Sequence, residues 1–411
     1  MKNNPFLSKT FTSIWSKYFN SSLEGKRFNF IENVSFVKNK YLSFYYNVGK
    51  NITNGLSYSL EKHENDYKNK TFLIHDVPSY FNIDTIDRPA SLKIKKIKQY
   101  KGFLTDLSQH KTFEDFFNAK YKSSSRYKFN KKTKRLNASF EPRYKIYHEN
   151  ISKEEYDSVM KSFETLIKNR FDVLEKDNDV LSVWAYYTDL FYPLILEKKA
   201  VIITITIGDE QVGGALCFLS EDTLFYAITT FNSDYNKFNL GHEIIRKLMA
   251  WSFEQGITIF DFSKGEYEYK TRWTNTVYNY ECHILYDSKS LIASSLASFL
   301  KLKYSLKQFL RDRNVNEQYV KLKFKLKGKK STDTHKKKYS IEKFDTIQDI
   351  SKMQIIDIKS NDFSFLKAIV YDELFKNPEA VSKLKIYKTN SSNKESYRVV
   401  GEVSNYMINE V

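Results

Sequence analysis

Residues 200–262 read AVIITITIGDEQVGGALCFLSEDTLFYAITTFNSDYNKFNLGHEIIRKLMAWSFEQGITIFDF. Ala200 to Ile207 is dominated by β-branched residues, the composition of a strand covered on both faces. Gly208 and Asp209 are a turn signal, after which Gln211 to Leu219 returns as a second strand and Thr223 to Thr230 as a third. The polar stretch Phe231 to Leu240 reads as a loop leading to Gly241. From Glu243 to Gln255 apolar residues recur at helical spacing, with Ile244, Ile245, Leu248 and Met249 inward and Gly256 placed to end the helix. Ile257 to Phe262 is a buried-type strand broken by one acid, Asp261. A meander followed by one helical crossover predicts an α/β (α+β) protein built on an open, mixed, twisted sheet with helices on both faces.

The flanks extend this pattern. Residues 112–135 are helical and very basic, carrying Lys120, Lys122, Arg126, Lys128, Lys131, Lys132, Lys134 and Arg135. A strand, Ala138 to His148, follows. Ser152 and Glu155 then form a capping box, which satisfies two orphan amides at the start of a helix whose Tyr156, Val159, Met160, Phe163, Leu166 and Ile167 face a core. A second helix runs from Tyr186 to Lys199, and Val277 to Leu285 is a further strand. Residues 1–108 show weaker periodicity: a helix at Phe11 to Phe19, strands at Phe28 to Phe36 and Leu92 to Leu104, and a polar loop from Lys50 to Lys70. Residues 291–328 are again helical and basic, with Lys301, Lys303, Lys307, Arg311 and Arg313 set among Leu and Phe. A linker spans Gly328 to Lys338, and beyond it lie a helix at Phe363 to Phe375 and a strand at Tyr397 to Val403.

Of the 411 residues, 66 are Lys or Arg and 49 Asp or Glu, a net charge of +17 that calls for an anionic partner: a polyphosphate ligand, a nucleic acid or an anionic membrane surface. The two cysteines, Cys217 and Cys282, exclude a disulfide framework and read as buried thiols in a reducing compartment. The seven histidines show no metal-ligand spacing, so no metal is expected. Met1 to Trp15 lacks the apolar core of a signal peptide and no run is apolar enough to span a bilayer, which places the protein in the cytoplasm.

The residues with chemical potential lie between Trp184 and Trp273, most densely from Phe260 to Trp273. An ionised acid inside an apolar strand needs a partner, and Lys270 and Arg272 are close in sequence to Asp261. Gly265 lets the chain turn where the strand ends, and strand ends in open α/β sheets are where ligands bind. A loop-capping acid beside a surface lysine fits the same residues equally well. The second cluster, Asn239-Leu-Gly241, starts a helix, whose unpaired amides and positive dipole end suit a phosphate. A plain N-cap is the commoner explanation there.

The run Thr223 to Trp273 resembles the acetyltransferase family that includes CelD-type cellulose-biosynthesis proteins, a branch of the GNAT superfamily related to Fem-type aminoacyl transferases. The resemblance rests on Leu224-Phe-Tyr226, Asn239 to Gly241, Asp261-Phe262, Gly265, Tyr269-Lys270 and Trp273, with the basic helix before Leu136 and the hairpin before Gly213-Gly214 upstream. It covers residues 103–285. Asn239 departs from the family's usual Ser and Pro. The resemblance implies a GNAT fold in tandem: a degenerate first half at 1–108, an acyltransferase domain at 109–288, a basic helical segment at 289–330, and a linker with a small C-terminal α/β region at 331–411. It implies transfer of an acyl group from acetyl-CoA to an amine on a small-molecule or lipid-linked acceptor, such as an amino sugar or surface-polysaccharide precursor. Asp261, Lys270 and Tyr269 become the catalytic residues, with Tyr269 as general acid for the thiolate. Asn239, Leu240, Gly241 and His242 hold the donor, and Trp184, Tyr187, Tyr226, Arg272 and Trp273 line the acceptor site.

Two rival functions share the fold. A Fem-type enzyme would use aminoacyl-tRNA, which the charge suits, although the long helical hairpin of several Fem proteins is not evident. A non-catalytic shell would bind nucleic acid or membrane. The basic helix Lys120 to Arg135, interleaved with Tyr121, Tyr127 and Phe129, fits nucleic acid. No nucleic-acid motif accompanies it, so a charged face attracting CoA or a sugar nucleotide is preferred. The helix after residue 291 either lies on an anionic membrane or docks on the sheet, the docked reading having the better claim.

Overall fold

The computed structural model describes residues 3–83, 85, 88–174, 179–313, 315, 338–344, 353–389 and 395–411. The first half runs α1 (Lys9–Phe19), β1 (Lys26–Arg27), β2 (Ser35–Lys38), β3 (Phe44–Asn47), β4 (Thr71–Pro78) and β5 (Leu92–Asp106). The second runs α2 (Phe113–Lys120), α3 (Ser123–Phe140), β6 (Arg143–Tyr147), α4 (Lys153–Leu174), α5 (Trp184–Leu196), β7 (Ala200–Ile207), β8 (Glu210–Leu219), β9 (Thr223–Phe231), α6 (Leu240–Glu254), β10 (Ile259–Lys264), α7 (Glu268–Trp273) and β11 (Thr276–Asp287). Then come α8 (Leu291–Asp312), β12 (Tyr339–Lys343), β13 (Gln354–Ile356), α9 (Lys367–Lys376), β14 (Lys385–Thr389), β15 (Ser396–Val400) and β16 (Asn405–Glu410). Most of the linker expected at 328–338, and the end of the basic helical stretch before it, lie outside the described residues.

Eleven strands form one sheet in the order β1-β2-β3-β4-β11-β5-β10-β9-β8-β7-β6. The order is symmetric about the β11–β5 pair, except that the edge strand β6 has no counterpart beyond β1. Each half holds one parallel pair, β3 with β4 and β9 with β10, and every other pairing is antiparallel. The last strand of each half crosses over: β5 pairs with β10 of the second half, and β11 pairs with β4 of the first. β5 and β11 then pair with each other along almost their whole length. The chain is therefore a doubled mixed α/β fold with exchanged strands. A five-stranded antiparallel sheet, β12-β16-β15-β14-β13, forms the C-terminal part.

Alternation along the strands sorts the second half's core into two layers. Val201, Ile203, Ile205, Leu224, Tyr226, Phe260 and Phe262 pack with α2, α3 and α6, whereas Ile202, Phe225 and Ile228 pack with α1, α4 and α5. Helices thus cover both faces, as the patterning predicts. Gly256, at φ +71°, ends α6.

Several local expectations differ. α3 continues to Phe140 and the next strand begins only at Arg143, so Ala138 is helical. Residues 28–34 loop between two short strands instead of forming one. Ser152 Oγ accepts from the Glu155 amide at 3.1 Å, but the Glu155 carboxylate takes the Lys145 ammonium at 2.6 Å and the Tyr147 hydroxyl at 2.9 Å, so the capping box is half formed. A 3₁₀ turn, Ser233–Phe238, fills the loop before α6. No helix among the described residues is long and apolar enough to cross a membrane.

Candidate functional site

β9 and β10 part company at a defined place. Their parallel ladder matches Thr223, Leu224 and Phe225 to Ile259, Phe260 and Asp261 and goes no further. Two irregularities cause this. On β9 the ladder to β8 shifts register at Ala227, between the pairs of Tyr226 and Ile228. On β10, Asp261 to Lys264 oppose only Leu104 to Gly102 of β5, an inserted residue that bends the strand away. Ser263 sits in that bulge at φ +61°, a left-handed conformation that a non-glycine residue adopts only when its surroundings hold it there.

Asp261 is what holds it. Its carboxylate accepts from the Ser263 amide at 2.6 Å, from Tyr80 at 2.8 Å and from Tyr278 at 2.7 and 2.8 Å. The side chain is fully buried, and burial pushes the carboxyl up to about 6 despite those donors and the nearby Lys270. The partners inferred from proximity in sequence are corrected here. Arg272 pairs with Glu268 at 2.6 Å, and the Lys270 ammonium donates to the carbonyl of Lys264 at the end of β10. Lys270 acts on Asp261 through its field alone. Burial lowers its ammonium to about 8, against which Asp261 pulls upward. Tyr278 can reach Asp261 because its ring lies over Gly102, its cross-strand partner, where an added Cβ would stand 2.2 Å from the ring.

Tyr269 packs against Phe262 at the same strand end, and burial raises its phenol to about 12. Tyr226 packs against Phe260 at a tilt and edge-on against Phe262 on that face. The other aromatics expected to line the acceptor site are spread apart. Trp184 belongs to the layer on the opposite face of the sheet, with Tyr187 against it. Trp273 is buried and its indole donates to His242 Nδ1 at 2.8 Å, tying α7 to α6. Burial, with Arg272 and Lys132 nearby, drives the His242 imidazole down to about 4, leaving it a neutral acceptor.

α6 begins at Asn239, whose φ of +66° takes the residue through a left-handed turn and whose side chain makes no capping bond. Leu240 is fully buried. Gly241 is required by packing: a Cβ there would lie 2.9 Å from the Phe231 ring at the end of β9, and Arg170 covers that ring, 4.5 Å from its centroid. Of the four residues expected to hold the donor, Asn239 alone lines a cavity of about 470 Å³, into which α3 contributes Lys128, Lys131, Lys132 and Arg135, joined by Arg272. The basic residues were legible as one helix face; that they meet a helix N-terminus was not. Lys134 of the same run does not line the cavity.

Residues 123–271 match the sequence model of the family described as acetyltransferase (GNAT) domain. No curated protein matches the sequence. Among solved structures, the chain is similar to a conserved protein of unknown function from Bacteroides thetaiotaomicron VPI-5482 (TM-score 0.44, 11% identity, 69% of this chain and 91% of that one). It is also similar to the C-terminal domain of a putative lysylphosphatidylglycerol synthetase from Agrobacterium fabrum (TM-score 0.41, 8% identity, 63% and 84%) and to FemX (TM-score 0.41, 12% identity, 61% and 83%).

Proposed function

We propose that the second half transfers an acyl group from acetyl-CoA to an amine. The observation that supports this best is the cavity in which four basic side chains of α3 meet Asn239, the cap residue at the start of α6. Phosphates of the donor would lie in the basic cavity, held by backbone amides of α6 and by Lys131, Lys132 and Arg135. The acyl end would enter the opening, where the bulge at Ala227 takes a backbone segment out of ladder spacing and can offer an amide to an oxyanion.

In the reaction the amine nitrogen attacks the thioester carbonyl. A C–N bond forms, the C–S bond breaks, the amine proton leaves to water, and the thiolate takes up a proton. The pKa values decide which side chain returns that proton. A free thiol has a pKa of about 8.5. A phenol near 12 would donate uphill by about 3.5 units, roughly 5 kcal/mol, whereas an ammonium near 8 is matched to the task. Lys270 is therefore the better proton donor and charge stabiliser, and Tyr269 a wall. Asp261, its acceptor sites occupied, positions the bulge. The acceptor is an amine on a small or lipid-linked molecule.

The exposed breadth of α3, with Lys131 and Lys134 in solvent, favours a second reading in which aminoacyl-tRNA is the donor. Calorimetry with acetyl-CoA and gel retardation with tRNA separate the two. Acetyl-CoA should bind the wild type and bind Lys131→Glu/Lys132→Glu at least tenfold more weakly, with the difference shrinking at high salt. Binding of tRNA alone would replace the first reading with the second, and binding of neither would remove both.

A further inference from the structure

The first half contains a built cavity that acyl transfer does not use. It encloses about 210 Å³ beneath the bulge of β4, between the segment that follows β3 and the inner side of α8. Lys50 lines it from the first, and Lys303 and Lys307, both exposed, stand at its rim on α8. Its floor is His75, buried and hydrogen-bonded to Cys282 Sγ at 3.2 Å and to the Tyr304 hydroxyl at 3.4 Å. Burial, with Lys50, Lys264 and Lys307 around it, holds that imidazole well below its usual range, so the floor is neutral.

The charges at the mouth are unbalanced. Among the described residues no carboxylate lies within ion-pair distance of Lys50, Lys303 or Lys307. The two acids at the cavity are engaged elsewhere. Asp76 pairs with Lys264 and accepts from the Asn51 amide and the Thr53 hydroxyl, and Glu281 lies 2.9 Å from His283. The Lys50 ammonium is held below the ordinary lysine range by burial and by Lys303 and Lys307, against which Asp76 pulls upward. Three like charges gathered over a neutral, partly buried floor repel one another unless an anion joins them.

We infer that this cavity binds a phosphate group. Three lysines approaching from two segments suit the several oxygens and double charge of a phosphate, whereas a lone carboxylate is better met by one planar guanidinium. The volume is below the range of whole-ligand pockets, so it admits the phosphate or diphosphate end of a molecule whose remainder stays outside. That remainder has two candidate sources. α8 leaves Leu302, Leu306, Phe309 and Leu310 exposed beside Lys303 and Lys307, which suits a lipid phosphate at a membrane surface; a soluble phosphate ester fits the cavity equally.

Inorganic pyrophosphate, titrated calorimetrically at fixed ionic strength, tests the site. The protein should carry Lys131→Glu and Lys132→Glu, which removes the cavity beside α6 from the measurement. Binding should persist in that background and weaken at least tenfold on Lys303→Ala/Lys307→Ala. The exposed pair Lys289→Ala/Lys301→Ala, which removes the same charge, should leave it unchanged. Equal thermal melting of the three proteins establishes that α8 stays docked. Absence of binding in the background, or equal weakening by both pairs, overturns the inference. Co-sedimentation with phosphatidylcholine vesicles containing phosphatidic acid then identifies the source: dependence on Lys303 and Lys307 beyond that on the control pair marks a lipid phosphate, and pyrophosphate binding without vesicle binding marks a soluble one.

Discussion

The two halves of the sheet share an opening and differ in what stands over it. β3 and β4 pair in parallel for three residues and then separate, as β9 and β10 do. β4 carries the same inserted residue as β10, three positions past Ile74 opposing two on β11, with Asp76 at φ +63° where β10 has Ser263 at +61°. Between β9 and β10, however, the chain forms α6, whose cap residue Asn239 lines the basic cavity. Between β3 and β4, residues 48–70 form no helix, and α8 packs over the strands instead. An opening without a helix end lacks the amides and dipole that hold a donor's phosphates. The first half serves the second as a support: Tyr80 bonds Asp261, Asp76 pairs with Lys264, and Asn54 donates to Ser263 at 2.8 Å.

The sharpest way to break this arrangement is at the seam. Gly102→Ala puts a methyl into the Tyr278 ring on the pair of strands that joins the halves. Overpacking of this kind costs roughly 1–3 kcal/mol, and the rigid ring and backbone at this site place it at or above the top of that range. Thermal melting should fall by several degrees and turnover per folded molecule should drop as Tyr278 leaves Asp261. Unchanged melting would mean that the seam tolerates the displacement.

Asp261→Asn tests whether the buried carboxylate is a strained support. Its folded pKa, about 6, lies above the ordinary carboxyl value of 3.8. Its contribution to stability is therefore complete below about pH 4 and is lost as pH rises through 6, a difference of about 2 units or ~3 kcal/mol. Denaturant unfolding from pH 4 to 7 should show the wild type losing stability relative to the Asn variant by an amount of that order. Parallel pH profiles would remove the ionisation from the account. Lys270→Met comes next in size. Losing a charge that acts in the transition state should lower turnover about a hundredfold while acetyl-CoA affinity stays nearly constant. The melting temperature at pH 7 should hold or rise, because Met removes a charge that burial disfavours. A lower melting temperature with normal turnover would make Lys270 structural.

The second half was legible because its elements are long and periodic: the meander from Ala200, α6 and the acid in β10 follow from local pattern. The first half was not, because β1, β2 and β3 have only two to four residues, too few to show alternation. α7, six residues long, was missed for the same reason. Asp261 could be singled out, but its partners could not, since Tyr80 lies 181 residues away and the exchanged strands that bring it there leave no local mark. Bulges are equally hidden, being defined only against a partner strand.

The smallest predicted effect tests the support most directly. Tyr80→Phe removes one hydroxyl, 2.8 Å from Asp261, and leaves the ring against Phe81 and Tyr278. A hydrogen bond to a charged group contributes about 1.5–3 kcal/mol, and Tyr278 and the Ser263 amide remain to share the load, so the loss should fall near the bottom of that range. The Tyr80 bond helps hold the Asp261 carboxyl down. Its removal should move that group further above 6 and carry the acid side of the stability profile upward with it. Acetyl-CoA affinity should not change, because Tyr80 does not line the basic cavity at the start of α6. Combined with Asp261→Asn, the substitution should add less than its separate effect, since both act through one carboxylate. Full additivity would show that the hydroxyl acts elsewhere, and that the first half supports the bulge by some route other than Tyr80.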